Sequence, residues 1–313
     1  MFDFVGKKRW FFLGSAIIII LGLISIFSPQ GLKLGTDFKE GSSFIFRFSP
    51  PISKAQLVQA LSQAGYAESE TTIQETKGAD YVDFTIITRW LTSEEETNLK
   101  NSLGQQLGSY EVMSSGRVSP IVAAEIVRNA AIAVVVAALG ILLYMAWAFR
   151  KMPKPFRYGT CAVISLFHDL LVVLAVFSLF GRVFSLEINS MFITACLAVL
   201  GYSVNDTVVV FDRIRENLSK GVSTEFAATV NRSLTETLTR SLNTTSTTLL
   251  ACLAVYLLVG GPMTGFMLAL LVGFASGAYS SFLASLLLVV WERGEWARFF
   301  PKIRLPQRVR SGE

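Results

Sequence analysis

Charged and metal-binding side chains are scarce in this chain of 313 residues. Asp, Glu, Lys and Arg make up 16% of it, and it has one histidine and three cysteines. Soluble domains carry about 25% charged residues, so this composition argues against an ordinary water-soluble fold. A single histidine cannot build a multi-histidine metal site, and we find no metal cage, phosphate-binding loop or nucleophile elbow. A conventional enzyme is therefore not expected.

Apolar sequence takes the place of charge. The hydrophobic fraction is 52% and the mean hydropathy is +0.50. Six runs approach or exceed the roughly 17–25 residues that a membrane-spanning helix requires. They are 11–27, 130–149, 158–180, 188–211, 241–258 and 263–291. The sequence thus predicts six transmembrane helices.

Lysine and arginine indicate the orientation of these spans. Cationic clusters fall at every second junction, and cations are retained on the cytoplasmic side during insertion. Both termini are therefore expected in the cytoplasm. These flanks also account for the net charge of +5, so no nucleic-acid partner is predicted. The clusters are 7–9, 150–157, 213–220 and 293–304.

Residues 30–127, between the first two spans, change to alternating patterns that predict a separate exposed domain. We expect strands at 41–48, 71–76, 81–88 and 110–118, and helices at 53–63 and 92–107. The turn between the middle strands is expected at 77–80. Thr92 and Glu95 have the spacing of a capping box. The element order is that of a ferredoxin-like α+β fold, which says little about function.

The remaining chain divides around the spans. Residues 1–29 form the cytoplasmic N-terminus and first span, 128–292 hold spans two to six, and 293–313 form a cytoplasmic tail. Within the second range, 219–239 has apolar residues at four-residue spacing. This predicts an amphipathic segment at the cytoplasmic interface, or an extension of the fifth span. Gly273 and Gly277 have the spacing that permits close helix packing.

Three charged residues are expected at membrane depth, where an unpaired charge costs several kcal/mol: Asp169, Asp206 and Arg240. Asp206 and Arg240 can form an ion pair that protonation of the acid would release. A permanent bridge or snorkelling to the surface is the alternative. His168 and Asp169 are either a proton relay or a hydrogen-bonded helix contact. The four threonines and Ser246 at 244–248 either line a wet path or bond to their own helix.

Several segments resemble the SecF family of the bacterial Sec protein-export machinery. The longest reads Gly-Tyr-Ser-Val-Asn-Asp-Thr-Val-Val-Val-Phe-Asp-Arg-Ile-Arg-Glu-Asn over 201–217. Others are 34–38, 168–169, 240–248 and 273–281. Where the family usually has Asp-Phe-x-Gly-Gly, this chain has Asp-Phe-Lys-Glu-Gly at 37–41. The matching family-motif positions are Asp37, Phe38, Gly41, Gly201, Asp212 and Arg213.

The resemblance implies a fold and a set of site residues. The fold is a membrane all-α, six-helix half-transporter of the resistance-nodulation-division superfamily, with the exposed domain inserted between spans one and two. The implied proton-coupling residues are Asp206 and Arg240. Candidate relay or helix-contact residues are His168, Asp169, Asn205, Thr244 and Thr247. No cofactor is implied beyond the coupling protons.

The resemblance also implies a function and partners. With SecD, the chain would use the proton motive force to complete translocation of unfolded preproteins through the SecYEG channel, after SecA has driven them with ATP. YajC is a further candidate partner. The expected location is the bacterial plasma (inner) membrane, or a thylakoid membrane if the source is photosynthetic. Half of a small-molecule exporter and a passive assembly subunit are the alternative functions.

Overall fold

A computed structural model describes residues 2–28, 31–35, 37–38, 41–67, 71–77, 81–181, 186–259 and 263–295. Most of the expected hairpin turn at 77–80 and most of the tail at 293–313 lie outside these residues. The chain divides into two compact units. We call them the sheet unit, residues 33–132 and 187–193, and the helical unit, residues 1–32, 133–186 and 194–313.

The elements follow one another as a helix, a mixed segment and five further helices. They are α1 (Lys8–Ile26), β1 (Gly41–Ser49), α2 (Lys54–Gln63), β2 (Thr72–Lys77), β3 (Val82–Thr88), α3 (Ser93–Leu107), β4 (Ser109–Val118), α4 (Pro120–Ala148), α5 (Pro155–Phe180), α6 (Ser190–Ser219), α7 (Phe226–Leu258) and α8 (Met263–Glu292). The strands and helices predicted within 41–118 are confirmed to within one or two residues at each end.

The sheet unit contains one antiparallel sheet with the strand order β2-β3-β1-β4. Successive side chains of a strand point to opposite faces, so the alternation at Phe44, Phe46 and Phe48 places all three on one face. They are buried there with Phe84 and Leu99. On the register of β1 and β3, Phe46 lies opposite Phe84. The core of this unit therefore consists mainly of aromatic and aliphatic side chains.

Both short helices of the sheet unit begin with a capping box. Ser53 and Gln56 cap α2, and Thr92 and Glu95 cap α3, as predicted for the second helix. The Glu95 carboxylate also accepts a hydrogen bond from Arg89. These contacts, first the one with Arg89, lower the pKa of Glu95 to about 2. The charged form of Glu95 is thus held at the positive end of α3.

The segment before β1 pairs with the segment before α6, within the sheet unit. Leu34 forms a parallel bridge with Ile188, and the Ile188 amide donates to the Lys33 carbonyl. The Asp37 carboxylate accepts the backbone N–H of Ser190 at 2.7 Å. An N–H of the first helical turn has no partner within its helix, so Asp37 caps α6.

Within the described residues, six helices are long and apolar enough to cross a membrane: α1, α4, α5, α6, α7 and α8. Three extend beyond the predicted spans by eight or more residues. Helix α4 starts ten residues early, at Pro120, and α6 continues to Ser219. Helix α7 starts at Phe226 and runs unbroken to Leu258. Two structures were predicted for 219–239, a separate interfacial segment or an extension of the fifth span. The structure shows the extension, because residues 226–239 belong to α7 and the buried positions Val230 and Leu234 lie on that same continuous helix.

Small residues let the helices of the helical unit approach closely. A Cβ atom built on Gly273 of α8 would lie 2.1 Å from a methyl carbon of Val199 on α6, and one on Gly277 would lie 3.0 Å from the Ser203 Cβ. The predicted packing role of the two glycines is confirmed. Their close approach also brings polar side chains of α6 and α8 together.

The segment before α1 is held by one side chain of α7. The Asn231 carboxamide oxygen accepts the backbone N–H groups of Phe4 and Val5, and its nitrogen donates to the Phe2 carbonyl. The Phe4 ring stacks on Phe282 of α8, with centroids 5.5 Å apart. The N-terminal segment is thus fixed to two of the last helices in the chain.

Candidate functional site

A buried carboxylate lies halfway along α5. Asp169 is about 21 Å from the start of this 26-residue helix at 1.5 Å per residue, and its exposed fraction is 0%. One oxygen accepts hydrogen bonds from Ser203 at 2.6 Å and Ser280 at 2.7 Å. The other accepts from Ser276 at 2.6 Å and contacts the Nδ1 atom of His168 at 3.2 Å. Four contacts fill the acceptor positions of a carboxylate.

His168 connects this carboxylate to α1. Its Nε2 atom lies 3.0 Å from the Ser15 hydroxyl, which lies 3.2 Å from the Tyr279 hydroxyl. Tyr279 in turn donates to the Phe11 carbonyl at 2.6 Å. Hydrogen bonds around His168 and Asp169 therefore join four helices: α1, α5, α6 and α8. Two roles were predicted for His168 and Asp169. The hydrogen-bonded helix contact is present in the structure, and the proton relay stays a prediction.

A second buried carboxylate lies on α6. Asp206 is 3% exposed and lies about 24 Å from the start of the 30-residue helix. One of its oxygens accepts a hydrogen bond from the Thr245 hydroxyl of α7 at 3.3 Å. A neutral hydroxyl at the outer limit of hydrogen-bond length stabilises a carboxylate weakly. Asp206 is thus much less enclosed by donors than Asp169.

The direct Asp206–Arg240 ion pair predicted from the sequence is not formed within 4.0 Å, judged over the described residues. The reason is the register of the antiparallel helices α6 and α7, which places Thr245 opposite Asp206. The buried face of α7 includes Ser241 and Thr245, and Arg240 lies outside it and is exposed. Arg240 is nevertheless near enough to act on the Asp206 carboxylate electrostatically.

The threonines predicted as site residues bond mainly to their own helix. Thr244 donates to the Arg240 carbonyl at 3.0 Å, and Thr247 and Thr248 donate to the Thr244 carbonyl. Thr248 also receives a hydrogen bond from Tyr202 of α6. This supports the second of the two predictions for 244–248, except at Thr245, whose hydroxyl faces Asp206.

Charged residues after Asp206 form a network between α6 and α7. Arg213 contacts Glu236 at 2.7 Å and Glu216 at 2.5 Å. Glu236 also accepts from Asn217 at 2.8 Å. Asp212 pairs with Arg215 at 2.5 Å. The family-motif positions Asp212 and Arg213 are therefore ion-pair residues beyond the buried carboxylates.

The other predicted positions are separate from the two carboxylates. Gly201 and Asn205 are exposed on α6, and a Cβ on Gly201 would meet no atom within 4 Å. Phe38 lies in a turn closed by its N–H to the Gly35 carbonyl. Gly41 begins β1 and pairs with β4. The first family motif, which includes Asp37, Phe38 and Gly41, therefore has a structural role in the sheet unit.

Sequence reasoning missed the hydroxyl groups around Asp169. Serine is common at contacts between membrane helices, where its small size alone can explain its presence, so these serines were not recognised as ligands of a carboxylate. A signal was present, however, because small or hydroxyl residues recur along one face of α8. They are Gly273, Ser276, Gly277, Ser280, Ser281 and Ser285.

Six apolar helices long enough to cross a membrane, with buried carboxylates, serines and a histidine among their residues, define a multi-pass membrane protein. Comparisons with known proteins agree with this class. Residues 98–294 match the family model described as "Protein export membrane protein SecD/SecF, C-terminal". The chain is 42% identical to the protein translocase subunit SecF of Thermobaculum terrenum over 310 residues, covering 96% of this chain and 97% of the relative. It belongs to the SecF family of protein translocase subunits.

The chain is also similar to part of a longer relative, and to part of a solved structure of SecDF. The chain is 33% identical to the protein translocase subunit SecDF of Thermus thermophilus, covering 93% of this chain and 38% of that protein. A crystal structure of SecDF, described as a translocon-associated membrane protein, matches with a TM-score of 0.81 and 32% identity. The chain thus spans about two fifths of the SecDF chain.

Proposed function

We propose that this chain is the SecF-type subunit of a proton-driven accessory complex of the Sec translocase. It works with SecD and uses the proton motive force to complete movement of unfolded preproteins through SecYEG, after the ATP-driven step of SecA. YajC is a further candidate partner. The chain carries no catalytic site of its own in this proposal, and protons are its only coupling ion.

The observation that carries the proposal is the environment of Asp206. A carboxylate at membrane depth is expensive unless it is paired, hydrogen-bonded or protonated. Among the residues that the structure describes, Asp206 has one long hydrogen bond, from Thr245, and Arg240 lies nearby but forms no ion pair with it. Such a group gains or loses a proton with little rearrangement of its neighbours. It is therefore suited to respond to a proton gradient.

The helical register suggests how a proton changes the structure. Arg240 precedes Thr245 by five residues, or about 7.5 Å of helix, which is within the reach of an arginine side chain combined with a small helix shift. When Asp206 is ionised, the attraction favours an ion pair with Arg240. When Asp206 is protonated, the neutral contact with Thr245 is sufficient. Asp206 and Arg240 thus bias α6 and α7 between two arrangements.

A partner subunit is supported by exposed polar residues on these helices. Asn205 of α6 and Arg240 of α7 are exposed in the single chain. An arginine facing hydrocarbon is costly, so these positions are expected to be covered by protein. In the SecDF relative, the region similar to this chain is 38% of the protein, and the rest of the same polypeptide is long enough to supply such a partner. SecD is therefore the proposed second half of the transporter.

We further assign the sheet unit to the ferredoxin-like class, on the order β-α-β-β-α-β and the strand order β2-β3-β1-β4. We place it on the side of the bacterial inner membrane away from the cytoplasm. Lysines and arginines at the opposite span ends support this orientation. Both termini are then cytoplasmic.

Thiol labelling tests the orientation. The native thiols Cys161, Cys196 and Cys252 are first replaced by alanine. A cysteine at exposed Asn101 on α3 should then react with an impermeant reagent added to intact cells. A cysteine at exposed Lys151, between α4 and α5, is the matched control and should react only after the membrane is opened. The reverse pattern would refute the orientation.

Neutralising the buried acid tests the function. Asp206→Asn keeps the shape of the side chain but cannot bind and release a proton near physiological pH. We expect the variant to co-purify with SecD at the normal ratio and to abolish the proton-dependent stimulation of preprotein export in vesicles. Asp3→Asn makes the same change at an exposed acid and should export normally. Normal export by Asp206→Asn would refute the proton-driven role and would support a passive assembly role for this chain.

A further inference from the structure

His168 has a hydrogen-bond partner at each ring nitrogen, and both partners are buried. Nδ1 lies 3.2 Å from an oxygen of Asp169, and Nε2 lies 3.0 Å from the Ser15 hydroxyl. In a neutral imidazole one nitrogen donates and the other accepts. The direction of the hydrogen bonds beyond Ser15 therefore decides which nitrogen carries a proton.

The Phe11 carbonyl fixes that direction, because a carbonyl oxygen can only accept. Tyr279, at 2.6 Å, must use its single hydroxyl proton to donate to it. The Tyr279 oxygen then accepts from Ser15 at 3.2 Å. Ser15 has used its own proton and can only accept from Nε2. The chain of contacts thus requires an N–H at Nε2 of His168.

The contact between Nδ1 and Asp169 then needs a second proton. If Nδ1 were bare, its lone pair would face a carboxylate oxygen, and two acceptors repel each other. A proton on Nδ1 gives an imidazolium–carboxylate pair, and a proton on the Asp169 oxygen gives two neutral groups. Both forms have a net charge of zero. We propose that His168 and Asp169 together hold one proton inside the helical unit, at a site separate from Asp206.

The surroundings of His168 and Asp169 favour a pair that has a net charge of zero when it holds the proton. Ser203, Ser276 and Ser280 donate to the carboxylate but carry no charge that could balance it. In the described part of the chain, the titratable group in contact with the pair is Tyr279 of α8, whose ring centroid lies 5.9 Å from that of His168. From α1 and α6, the described contacts come from serine hydroxyls. A pair with net charge zero avoids the cost of an isolated charge in a low-dielectric interior.

Release of the proton would change a contact between helices. The N–H bond at Nε2 breaks, its electron pair stays on the nitrogen, and the proton passes to a water molecule. The proton between Nδ1 and Asp169 ends on Nδ1 in either form, and Nδ1 donates to ionised Asp169, so the pair now carries one negative charge. The bare Nε2 needs a donor, and the Ser15 hydroxyl must rotate from Tyr279 to the ring. Proton release at α5 therefore removes the Ser15–Tyr279 hydrogen bond between α1 and α8, while Tyr279 keeps its bond to the Phe11 carbonyl.

The single histidine of the chain makes a direct test practical. The full chain is labelled with ¹⁵N-histidine and reconstituted in phospholipid bilayers at neutral pH, where ¹⁵N NMR shifts and N–H couplings distinguish protonated from bare ring nitrogens. Infrared spectroscopy of the same sample detects a protonated carboxyl group, and Asp169→Asn identifies the band that belongs to Asp169.

Two results support the proposal, and two overturn it. Protons on both ring nitrogens, or a proton on Nε2 together with a carboxyl band that Asp169→Asn removes, place one proton on the pair. A bare Nε2 would show that Ser15 donates to the ring, and it would overturn the protonation that we assign to His168. An Nε2 proton with neither an Nδ1 proton nor a carboxyl band would also refute the site.

A tyrosine variant tests the role of the Phe11 carbonyl. Tyr279→Phe removes the oxygen that accepts from Ser15, so Ser15 becomes free to donate to Nε2. The fraction of bare Nε2 at neutral pH should rise in this variant. Tyr144→Phe removes an exposed hydroxyl on α4 and is the matched control, which should give the wild-type spectrum. Equal spectra for wild type and Tyr279→Phe would show that the hydrogen-bond chain does not set the protonation of His168.

Discussion

The sheet unit and the helical unit differ in where their charged groups and their exposed apolar side chains lie. In the sheet unit, the rings of Phe44, Phe46 and Phe84 are fully buried, and its ion pairs are at the surface. At the middle of the helical unit, the carboxylate of Asp169 is fully buried, and large apolar residues such as Leu143 of α4 are exposed. The sheet unit is therefore organised for water outside, and the helical unit for hydrocarbon.

The difference also changes what stabilises each unit. Water drives apolar side chains into the sheet unit, which gains about 25 cal/mol for each Å² of apolar surface that it buries. Lipid is as apolar as leucine, so helices in a membrane associate through close packing and polar contacts instead. Glycines and serines should consequently matter most in the helical unit, and phenylalanines in the sheet unit.

The largest effect is expected in the core of the sheet unit. Phe84→Ala removes a fully buried ring that lies opposite Phe46, and such changes cost about 3–5 kcal/mol. Thermal unfolding of the sheet unit within the purified chain should shift to much lower temperature, as followed by protease resistance. Val112→Ala, at an exposed position on β4, is the control and should cost far less. Equal losses would mean that burial does not stabilise this unit.

A single methyl group should have the next largest effect, in the helical unit. Gly273→Ala places a Cβ 2.1 Å from a methyl carbon of Val199, and overpacking of this kind costs about 1–3 kcal/mol. The variant should be less resistant to SDS-induced unfolding. Gly265→Ala on the same helix meets no atom within 4 Å and should not weaken the chain. A neutral Gly273→Ala would contradict the close α6–α8 packing.

A helix cap of the sheet unit should give a smaller change. Thr92→Ala removes the hydroxyl that accepts from the Glu95 amide, and loss of such a cap costs about 0.5–2 kcal/mol. Thr97→Ala makes the same substitution inside α3, where the hydroxyl bonds only to its own helix. Alanine favours a helix interior, so this control should be neutral or slightly stabilising in thermal unfolding.

The smallest effect should depend on pH. The folded-state pKa of Glu95 is about 2, below the ordinary value of 4.5. Its contribution to stability is therefore present above about pH 4.5 and is lost as the pH falls toward 2. Glu95→Gln should lower the unfolding midpoint at neutral pH, and the difference from wild type should shrink in acid. A constant difference would rule out the charged form as the cause.

The sequence predicted elements better than it predicted partners. Alternation at Phe44, Phe46 and Phe48 and the capping box at Thr92 are local patterns, and each led to the observed strand or helix. The apolar runs likewise located the spans, because length and composition suffice for that. The end of a helix was harder to predict: α4 and α7 continue beyond their apolar runs, since polar residues also continue a helix.

The site depended on contacts that local patterns do not encode. Asp206 and Asp169 were predicted from the cost of a carboxylate in a membrane. Their neighbours were not, because the rotation and register of α7 and α8 determine whether Thr245 or Arg240, and which serines, face the acid. Those quantities come from packing of several helices at once. The Asn231 contacts with the N-terminal segment have the same origin and had no signal in the sequence.

The hold of Asn231 on the N-terminal segment has a consequence for biogenesis. The hydrogen-bonded groups of Phe4 and Asn231 are separated by 227 positions, and the stacked ring of Phe282 is farther along the chain. A ribosome adds about 5–20 residues per second, so the N-terminal segment exists for many seconds before these partners are made. Its docking is therefore among the last steps of folding, and it occurs only after α7 and α8 have been inserted.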